Sequence, residues 1–176
     1  MSTRVPDETL TVEPAEWVVA VADSRARGFD FFDWLSAVDR TYDEQRPGFD
    51  VVVRLVDGST PGALRAVRLT TRVPDGEALG SITGLFAGAA FHERETFEMF
   101  GIPFDGFLDH TRLGLRPLLL PDGFVGTPLR KSFMLASRAS KAWPGGKEPG
   151  EGHGGTAPAR KKIQAPGVPE PEWGPR

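Results

Sequence analysis

Hydrophobic and polar positions along the first half of the chain follow two periods, one typical of helices and one typical of strands. Trp17 and Val21 recur at helical spacing, so residues 14–27 are predicted to form a helix that ends at Gly28. Residues 29–39 also carry large apolar side chains at helical spacing. This second pattern predicts a short second helix.

Apolar and polar residues alternate strictly in the next two segments, residues 49–57 and 64–73. Period-two alternation with many β-branched residues is typical of strands that have one buried face. The Asp57-Gly58-Ser59 sequence between them is typical of a turn, so the two strands are predicted to form an antiparallel hairpin. An isolated hairpin is only marginally stable, so helices must cover its apolar face. The fold class predicted is α+β, with a small antiparallel sheet packed with helices.

Residues 75–101 are predicted to be mostly helical, with a helix over residues 87–100 that ends at Gly101. Large apolar residues and charged residues are interleaved around this helix, whereas a free surface helix would separate them. Two interpretations fit this pattern: a helix contacted on several sides, or a short amphipathic helix with an irregular boundary. On the first interpretation, we expect its charged residues to be paired, within the domain or on a neighbouring protein; these are Glu93, Arg94, Glu95 and Glu98.

Residues 102–139 are too apolar for a solvated loop and too interrupted by proline and glycine for a regular element. We interpret them as an extended docking arm that lies on another protein, with Arg116, Arg130 and Lys131 as charged anchors. The predicted domain before the docking arm covers residues 13–101, after a flexible N-terminus at residues 1–12. Fifteen of the 37 residues from 140 to 176 are glycine or proline, which predicts a disordered tail.

The composition of the chain limits the kinds of function that it can have. The formal net charge is −3, so no nucleic-acid partner is expected. The chain has no cysteine, which excludes a disulfide framework and a cysteine-ligated zinc or iron–sulfur centre in this chain. No apolar stretch is long enough to span a bilayer, and the N-terminus lacks the apolar core of a signal peptide, so the cytosol is the expected compartment. His92 and Glu95 share a helical face, but too few further ligands exist to predict a metal site.

Two sequence runs point to a family. HERETFEMFGIPF at residues 92–104 is followed by GTPLRKSF at residues 126–133, with an apolar Leu- and Pro-rich stretch between them. Together they resemble the 30-kilodalton subunit family of respiratory complex I, which includes the C subunit of bacterial NADH–quinone oxidoreductase. The resemblance covers roughly residues 15–133, and the predicted α+β domain agrees with it.

The resemblance implies an accessory subunit in the peripheral arm of a proton-translocating NADH–quinone oxidoreductase. Such a subunit is part of an enzyme but is not catalytic alone, and it binds no cofactor. FMN, the iron–sulfur clusters and the quinone, ubiquinone or menaquinone, belong to partner subunits. The expected partners are the quinone-site subunit and an iron–sulfur subunit, lettered D and B in bacteria. Binding to these subunits would hold the chain on the cytoplasmic side of the cell membrane. The chain would then be a peripheral protein that reaches the membrane only through the complex.

Two alternatives stay open. One is the equivalent subunit of a reduced complex I or of a membrane-bound hydrogenase, fed by ferredoxin or another donor. The other is a stand-alone binding protein that shares the fold. In each case the candidate residues are structural or interfacial rather than catalytic, cofactor-binding or metal-binding. They are Glu93, Arg94, Glu95, Phe97, Glu98, Gly101, Arg116, Pro121, Gly126, Pro128, Leu129, Arg130 and Lys131.

Overall fold

The computed structural model describes residues 7–134. Its elements follow the order β1 (Asp7–Val12), a 3-10 turn (Pro14–Glu16), α1 (Trp17–Ala26), β2 (Phe31–Asp39), β3 (Phe49–Asp57), β4 (Arg65–Val73), β5 (Leu79–Gly80), α2 (Ala89–Phe100) and β6 (Phe104–Asp105). The α+β class is confirmed. The tail predicted for residues 140–176 and the last docking-arm residues, 135–139, lie outside the described residues.

The main sheet has four strands in the order β1-β4-β3-β2. The predicted hairpin is confirmed, because β3 pairs with β4 in antiparallel register from Phe49 opposite Val73 to Asp57 opposite Arg65. The sheet as a whole is mixed rather than antiparallel, since β1 joins the outer side of β4 in parallel. Residues 7–12, predicted to belong to a flexible N-terminus, form this strand.

The predicted second helix at residues 29–39 is wrong, because this segment forms β2. Its register against β3 shifts between Phe32 and Trp34, where a bulge inserts one extra residue. Phe32 lies opposite Leu55 and Leu35 lies opposite Val53, so two residues three positions apart share one face of the sheet. The bulge thus reproduces in a strand the spacing that normally indicates a helix.

One face of the sheet is covered and carries the core. The alternate residues of β3 from Phe49 to Leu55 are almost fully buried, and Trp17 and Val21 of α1 pack with them. Helix α1 lies within the segment predicted to be helical. Gly28, predicted to end it, has a φ of +101°. Arg54 and Val56 of β3, on the opposite face, are only partly buried. This division explains why the alternation of β3 was so clear in the sequence.

Only the second part of the predicted helical region 75–101 is helical. Residues 75–88 run through turns and β5, and α2 begins at Ala89. Gly101 ends α2 in the left-handed conformation, with a φ of +75°, as predicted. Within residues 7–134, no helix is long and apolar enough to cross a membrane.

The first residues assigned to the docking arm belong to the core. Ile102 and Phe104 are 2% and 5% exposed, and β6 pairs in parallel with β5. The irregular part of the docking arm therefore starts after β6, and it continues through a series of turns to residue 134.

Candidate functional site

Helix α2 carries a fully buried carboxyl group. Glu93 accepts hydrogen bonds from the Ser81 hydroxyl and from the Ile82 backbone N–H, both at 2.7 Å. Its side chain has no exposed surface. Burial raises the pKa of Glu93 to about 7, against the opposing effect of the two hydrogen bonds. Glu93 is therefore a structural carboxyl that joins α2 to the loop after β5.

A second acidic residue of α2 binds the docking arm. Glu98 is 6% exposed, and its two carboxylate oxygens accept hydrogen bonds from the backbone N–H groups of Leu119 (2.8 Å) and Leu120 (2.6 Å). These amides have no strand or helix partner of their own, so the carboxylate satisfies them. One turn earlier on the helix, Arg94 donates to the carbonyl oxygens of Arg116 and Pro117, at 3.2 and 2.6 Å.

Three of the four charged residues predicted to be paired are therefore hydrogen-bonded within the chain. Glu95 is half-buried, and the part of the chain that the structure describes supplies no partner for it. Its pairing on a neighbouring protein stays a prediction. Phe97 is partly buried and packs against the core. The helix is contacted on several sides, as its sequence pattern indicated.

The far end of the docking arm returns to the C-terminus of α2 through Arg130. Its guanidinium donates to the Phe100 carbonyl oxygen at 2.6 Å, pairs with Asp75 at 3.0 Å and lies 4.8 Å from the centre of the Phe49 ring. A side chain at Gly101 would approach the Arg130 guanidinium to 3.0 Å. The glycine at the helix end and the arginine of the GTPLRKSF run thus form one packed unit.

Lys131 is attached by its backbone, while its side chain is exposed. The Lys131 N–H donates to the Asp39 carboxylate at 2.7 Å. Asp39 also accepts from the Thr41 N–H and hydroxyl. Burial acts to raise the pKa of Asp39, but these hydrogen bonds and the Lys131 charge outweigh it and hold the pKa below its usual value. The end of β2 and the end of the docking arm are joined at this carboxylate.

Arg116 is also occupied within the chain. It pairs with Asp109 at 2.7 Å and donates to the Gly114 carbonyl oxygen at 2.9 Å. Asp109 further accepts from the Thr111 hydroxyl and from the Arg112 N–H, which closes a tight turn. These hydrogen bonds, led by that from Thr111, and the Arg116 charge hold the pKa of Asp109 well below its usual range.

These contacts show what Arg116 and Arg130 bind within the chain, while their role as anchors on a partner stays a prediction. Both were expected to reach carboxylates on a partner, but both bind carboxylates of their own chain. The remaining candidates of the docking arm are turn residues. Pro121 accepts from the Phe124 N–H, Gly126 has a φ of +128°, and Pro128 is half-buried.

The docking arm leaves several large apolar side chains exposed. Leu129 donates its N–H to the Met99 carbonyl oxygen, yet its side chain is 54% exposed. Leu119 combines an N–H bound to Glu98 with a side chain that is 61% exposed. Six large apolar residues are exposed in the described part of the docking arm: Leu108, Leu113, Leu119, Val125, Leu129 and Met134. We call four of them, Leu113, Leu119, Val125 and Leu129, the outer surface of the docking arm.

Sequence reasoning missed several residues that position the site. His92 bonds the Leu35 backbone through Nδ1, which attaches α2 to the edge of β2. Three carboxylates also hold the docking arm in place. Asp39 and Asp75 lie far from it in the sequence, whereas Asp109 lies in one of its own turns. The Asp-x-Thr spacing at Asp109 is the one sequence signal that could have indicated this role, because it is typical of a turn closed by a side-chain hydrogen bond. In residues 7–134, no three His, Cys, Asp or Glu residues are placed to hold a metal ion.

Comparison with known proteins agrees with this architecture. The family model described as the 30 Kd subunit of respiratory-chain NADH dehydrogenase matches residues 10–139. A Moorella thermoacetica protein, named as the C subunit of NADH-quinone oxidoreductase, is 34% identical over 140 residues, which is 77% of this chain and 86% of that protein. A protein of the same name from Mesorhizobium japonicum is 35% identical over 131 residues, or 72% of this chain; the match spans 60% of that relative's length.

Two solved structures have a similar fold. The trypsin-resistant fragment of Nqo5 (residues 1–134) is 29% identical, with a TM-score of 0.53 over 62% of this chain and 86% of that one. A chain of an archaeal membrane-bound sulfane sulfur reductase has a TM-score of 0.55 over 70% of this chain and 68% of that one. At 17% identity this second likeness shows the fold alone. Because the family match covers both the sheet and the docking arm, the chain belongs to the family of the 30-kDa subunit of respiratory-chain NADH dehydrogenase.

Proposed function

We propose that this chain is an accessory subunit of the peripheral arm of a proton-translocating NADH–quinone oxidoreductase. The observation that carries the proposal is its 34–35% identity to proteins named as the C subunit of NADH-quinone oxidoreductase, over most of its own length. In the complex, electrons pass from NADH through FMN and iron–sulfur clusters to quinone. All of these groups are held by other subunits.

In this proposal the chain holds no cofactor. The absence of cysteine supports this role, because the thiolates that bind iron–sulfur clusters would have to come from neighbouring subunits. The charged residues of α2 support it too. Glu93, Arg94 and Glu98 each make hydrogen bonds that build the domain, so these contacts are structural rather than catalytic.

The outer surface of the docking arm is the proposed contact with the quinone-site subunit, which would lie next to the iron–sulfur subunit. Its four side chains are large, apolar and more than half exposed, while the backbone beneath them is tied to α2 at Leu119 and Leu129. A fixed backbone with outward apolar side chains loses little conformational entropy on binding. Lys131 adds an exposed charge at the end of this surface. Through these subunits the chain would lie on the cytoplasmic side of the membrane.

The test is purification of the complex through an affinity tag on this chain, from mildly solubilised membranes of its own organism, with identification of every co-purifying protein. The proposal predicts the quinone-site and iron–sulfur subunits together with NADH-oxidising subunits, and NADH–quinone reductase activity in the eluate. Recovery with hydrogenase subunits, or recovery of the chain alone, would contradict it.

A further inference from the structure

A groove of about 530 Å³ lies between the start of α2 and the beginning of the docking arm. Its lining includes small residues at and just before the start of α2, namely Ala87, Gly88 and Ala90, and two residues of the docking arm, Asp109 and His110. We call this feature the α2 groove. It shares no residue with the outer surface of the docking arm.

Two large apolar side chains border the α2 groove without being buried. Phe91 is 56% exposed and Leu108 is 65% exposed. Phe91 lies in a helix whose other aromatic residues, Phe97 and Phe100, pack against or within the core. An exposed aromatic residue beside an exposed leucine and an open groove is typical of the apolar centre of a protein–protein contact.

The lining of the α2 groove includes two charged side chains, Arg94 and Asp109. Arg94 lines it, and in residues 7–134 no carboxylate lies within ion-pair distance of this guanidinium. Its two described hydrogen bonds go to uncharged carbonyl oxygens. Asp109 also lines the groove, but its charge is matched by Arg116. Of the two charged lining residues, Arg94 is therefore the one without an ion-pair partner in residues 7–134; the Glu98 carboxylate, one turn further along α2, is bound by backbone N–H groups.

The walls of the α2 groove are held in place before any ligand arrives. The Leu108 N–H donates to the Thr83 hydroxyl at 3.0 Å, and that hydroxyl is bonded to Ser81, which in turn donates to Glu93. Asp109 fixes the next turn through Thr111. A preformed groove binds a partner without the cost of ordering its own loops.

We propose that the α2 groove is a second docking site, which holds an apolar side chain of a neighbouring subunit while a carboxylate of the same partner segment pairs with Arg94. The apolar rim formed by Phe91 and Leu108 takes the first group, and the unmatched guanidinium takes the second. This inference rests on the proposed function, because it requires that the chain is a subunit of a larger complex.

The apolar half of the proposal is tested with the variants Phe91→Asp and Leu108→Asp in the full-length tagged chain. Both side chains are exposed, so circular dichroism and melting temperature should match wild type. We expect each variant to recover about tenfold less of its partner subunit than wild type does. Val19→Asp is the matched control, since Val19 is 62% exposed on the other helix, and it should recover normal amounts. Equal recovery by all three variants would overturn the proposal.

The charge half is tested with Arg94→Lys and Arg94→Gln. Both replacements disturb the bonds to the Arg116 and Pro117 carbonyl oxygens, whereas only lysine keeps the positive charge. We expect Arg94→Lys to retain partner recovery within about twofold, and Arg94→Gln to lose about tenfold. Equal losses in the two variants would show that Arg94 acts only by holding the docking arm, and would overturn the proposed ion pair.

The occupant is identified with a photo-cross-linking amino acid at position 91 in the assembled complex. The expected product joins this chain to another subunit, at a segment where an apolar residue lies close to Asp or Glu. A cross-link to residues 135–176 of this chain, to a second copy of it, or to nothing would overturn the proposal. If the tagged chain recovers the complex but no such product forms, only this inference fails. If it recovers no complex at all, the proposed function fails with it.

Discussion

Within the part of the chain that the structure describes, the fully buried carboxyl group of Glu93 has no charged partner. Its hydrogen bonds come from a hydroxyl and a backbone amide, at Ser81 and Ile82. Such neutral donors compensate only part of the cost of removing a carboxylate from water, so the protonated form is favoured in the folded protein. The pKa of Glu93 is raised from 4.5 to about 7 for this reason.

This raised pKa makes the stability of the chain depend on pH. Between pH 4.5 and 7 the folded state binds more protons at Glu93 than the unfolded state, so the free energy of unfolding falls as the pH rises through this range. The total loss is about 3 kcal/mol, at roughly 1.4 kcal/mol for each pKa unit. Glu93→Gln should remove this slope and should be more stable than wild type at pH 8.

Urea unfolding of the full chain at pH 5, 6, 7 and 8 measures the effect. Glu95→Gln is the matched control: it lies on the same helix, is half-buried, and should keep the wild-type slope. The carboxyl groups with lowered pKa values, such as Asp39 and Asp109, titrate at lower pH and leave this window unaffected. A slope that persists in Glu93→Gln would contradict the assignment.

Arg130 connects four parts of the chain: the end of α2, the start of β3, the turn at Asp75 and the docking arm. Its side chain is 21% exposed and its partner Asp75 is 52% exposed, so the ion pair itself contributes little. The bond to the Phe100 carbonyl oxygen and the contact with the Phe49 ring add to it. The arginine is thus a structural part of the domain.

Arg130→Ala should therefore destabilise the chain on its own, before any partner is present. We expect the free energy of unfolding to fall by about 2 kcal/mol, as measured by chemical denaturation of the full chain. Lys131→Ala is the control, since the side chain of Lys131 is exposed and its contact with Asp39 uses the backbone. If Arg130→Ala and wild type unfold at the same denaturant concentration, Arg130 does not hold the docking arm on the domain.

Strands β3 and β4 were predictable because each has one buried and one open face, so their sequences alternate strictly. Helix α1 and the end of α2 at Gly101 were predictable from local signals as well. Strand β2 was not, because the bulge near Asp33 brings Phe32 and Leu35 to the same face at a helix-like spacing. The signal for β1 was too weak, since only Leu10 and Val12 alternate in a short polar stretch.

The same substitution should have different effects on stability at the two faces of strand β3. Val53 is fully buried under the helices, whereas the neighbouring Val52 lies on the open face and is only partly buried. Val53→Asp should place an unpaired carboxylate in the core and lower the free energy of unfolding by about 4 kcal/mol or more. Val52→Asp should cost about 1 kcal/mol. Similar melting temperatures for the two variants would show that the register is wrong.

On the scale of the whole molecule, the family motif forms a network inside the chain. The runs HERETFEMFGIPF and GTPLRKSF meet through the bonds from Leu129 to Met99 and from Arg130 to Phe100. Glu98 binds the stretch between the two runs, and the Lys131 backbone reaches the end of β2. Their identity as candidate residues could be predicted from sequence, but their partners could not. Lys131 and Asp39 are 92 positions apart, and no local periodicity reports such a pairing.

The network fixes the docking arm on the domain and leaves its apolar side chains outward. The outer surface of the docking arm is therefore the proposed contact with the quinone-site subunit. This contact is tested most directly by a triple variant, Leu113→Asp, Leu119→Asp and Val125→Asp, whose side chains are 74%, 61% and 70% exposed. Because none of these side chains is buried, the variant should fold and melt like wild type.

The measurement is recovery of the quinone-site subunit with the tagged full chain, compared among wild type, the triple variant and the Val19→Asp control. We predict that wild type and the control recover equal amounts, and that the triple variant recovers about tenfold less or none. Equal recovery of the quinone-site subunit by the triple variant, with an unchanged melting temperature, would contradict the claim that the outer surface of the docking arm is the contact.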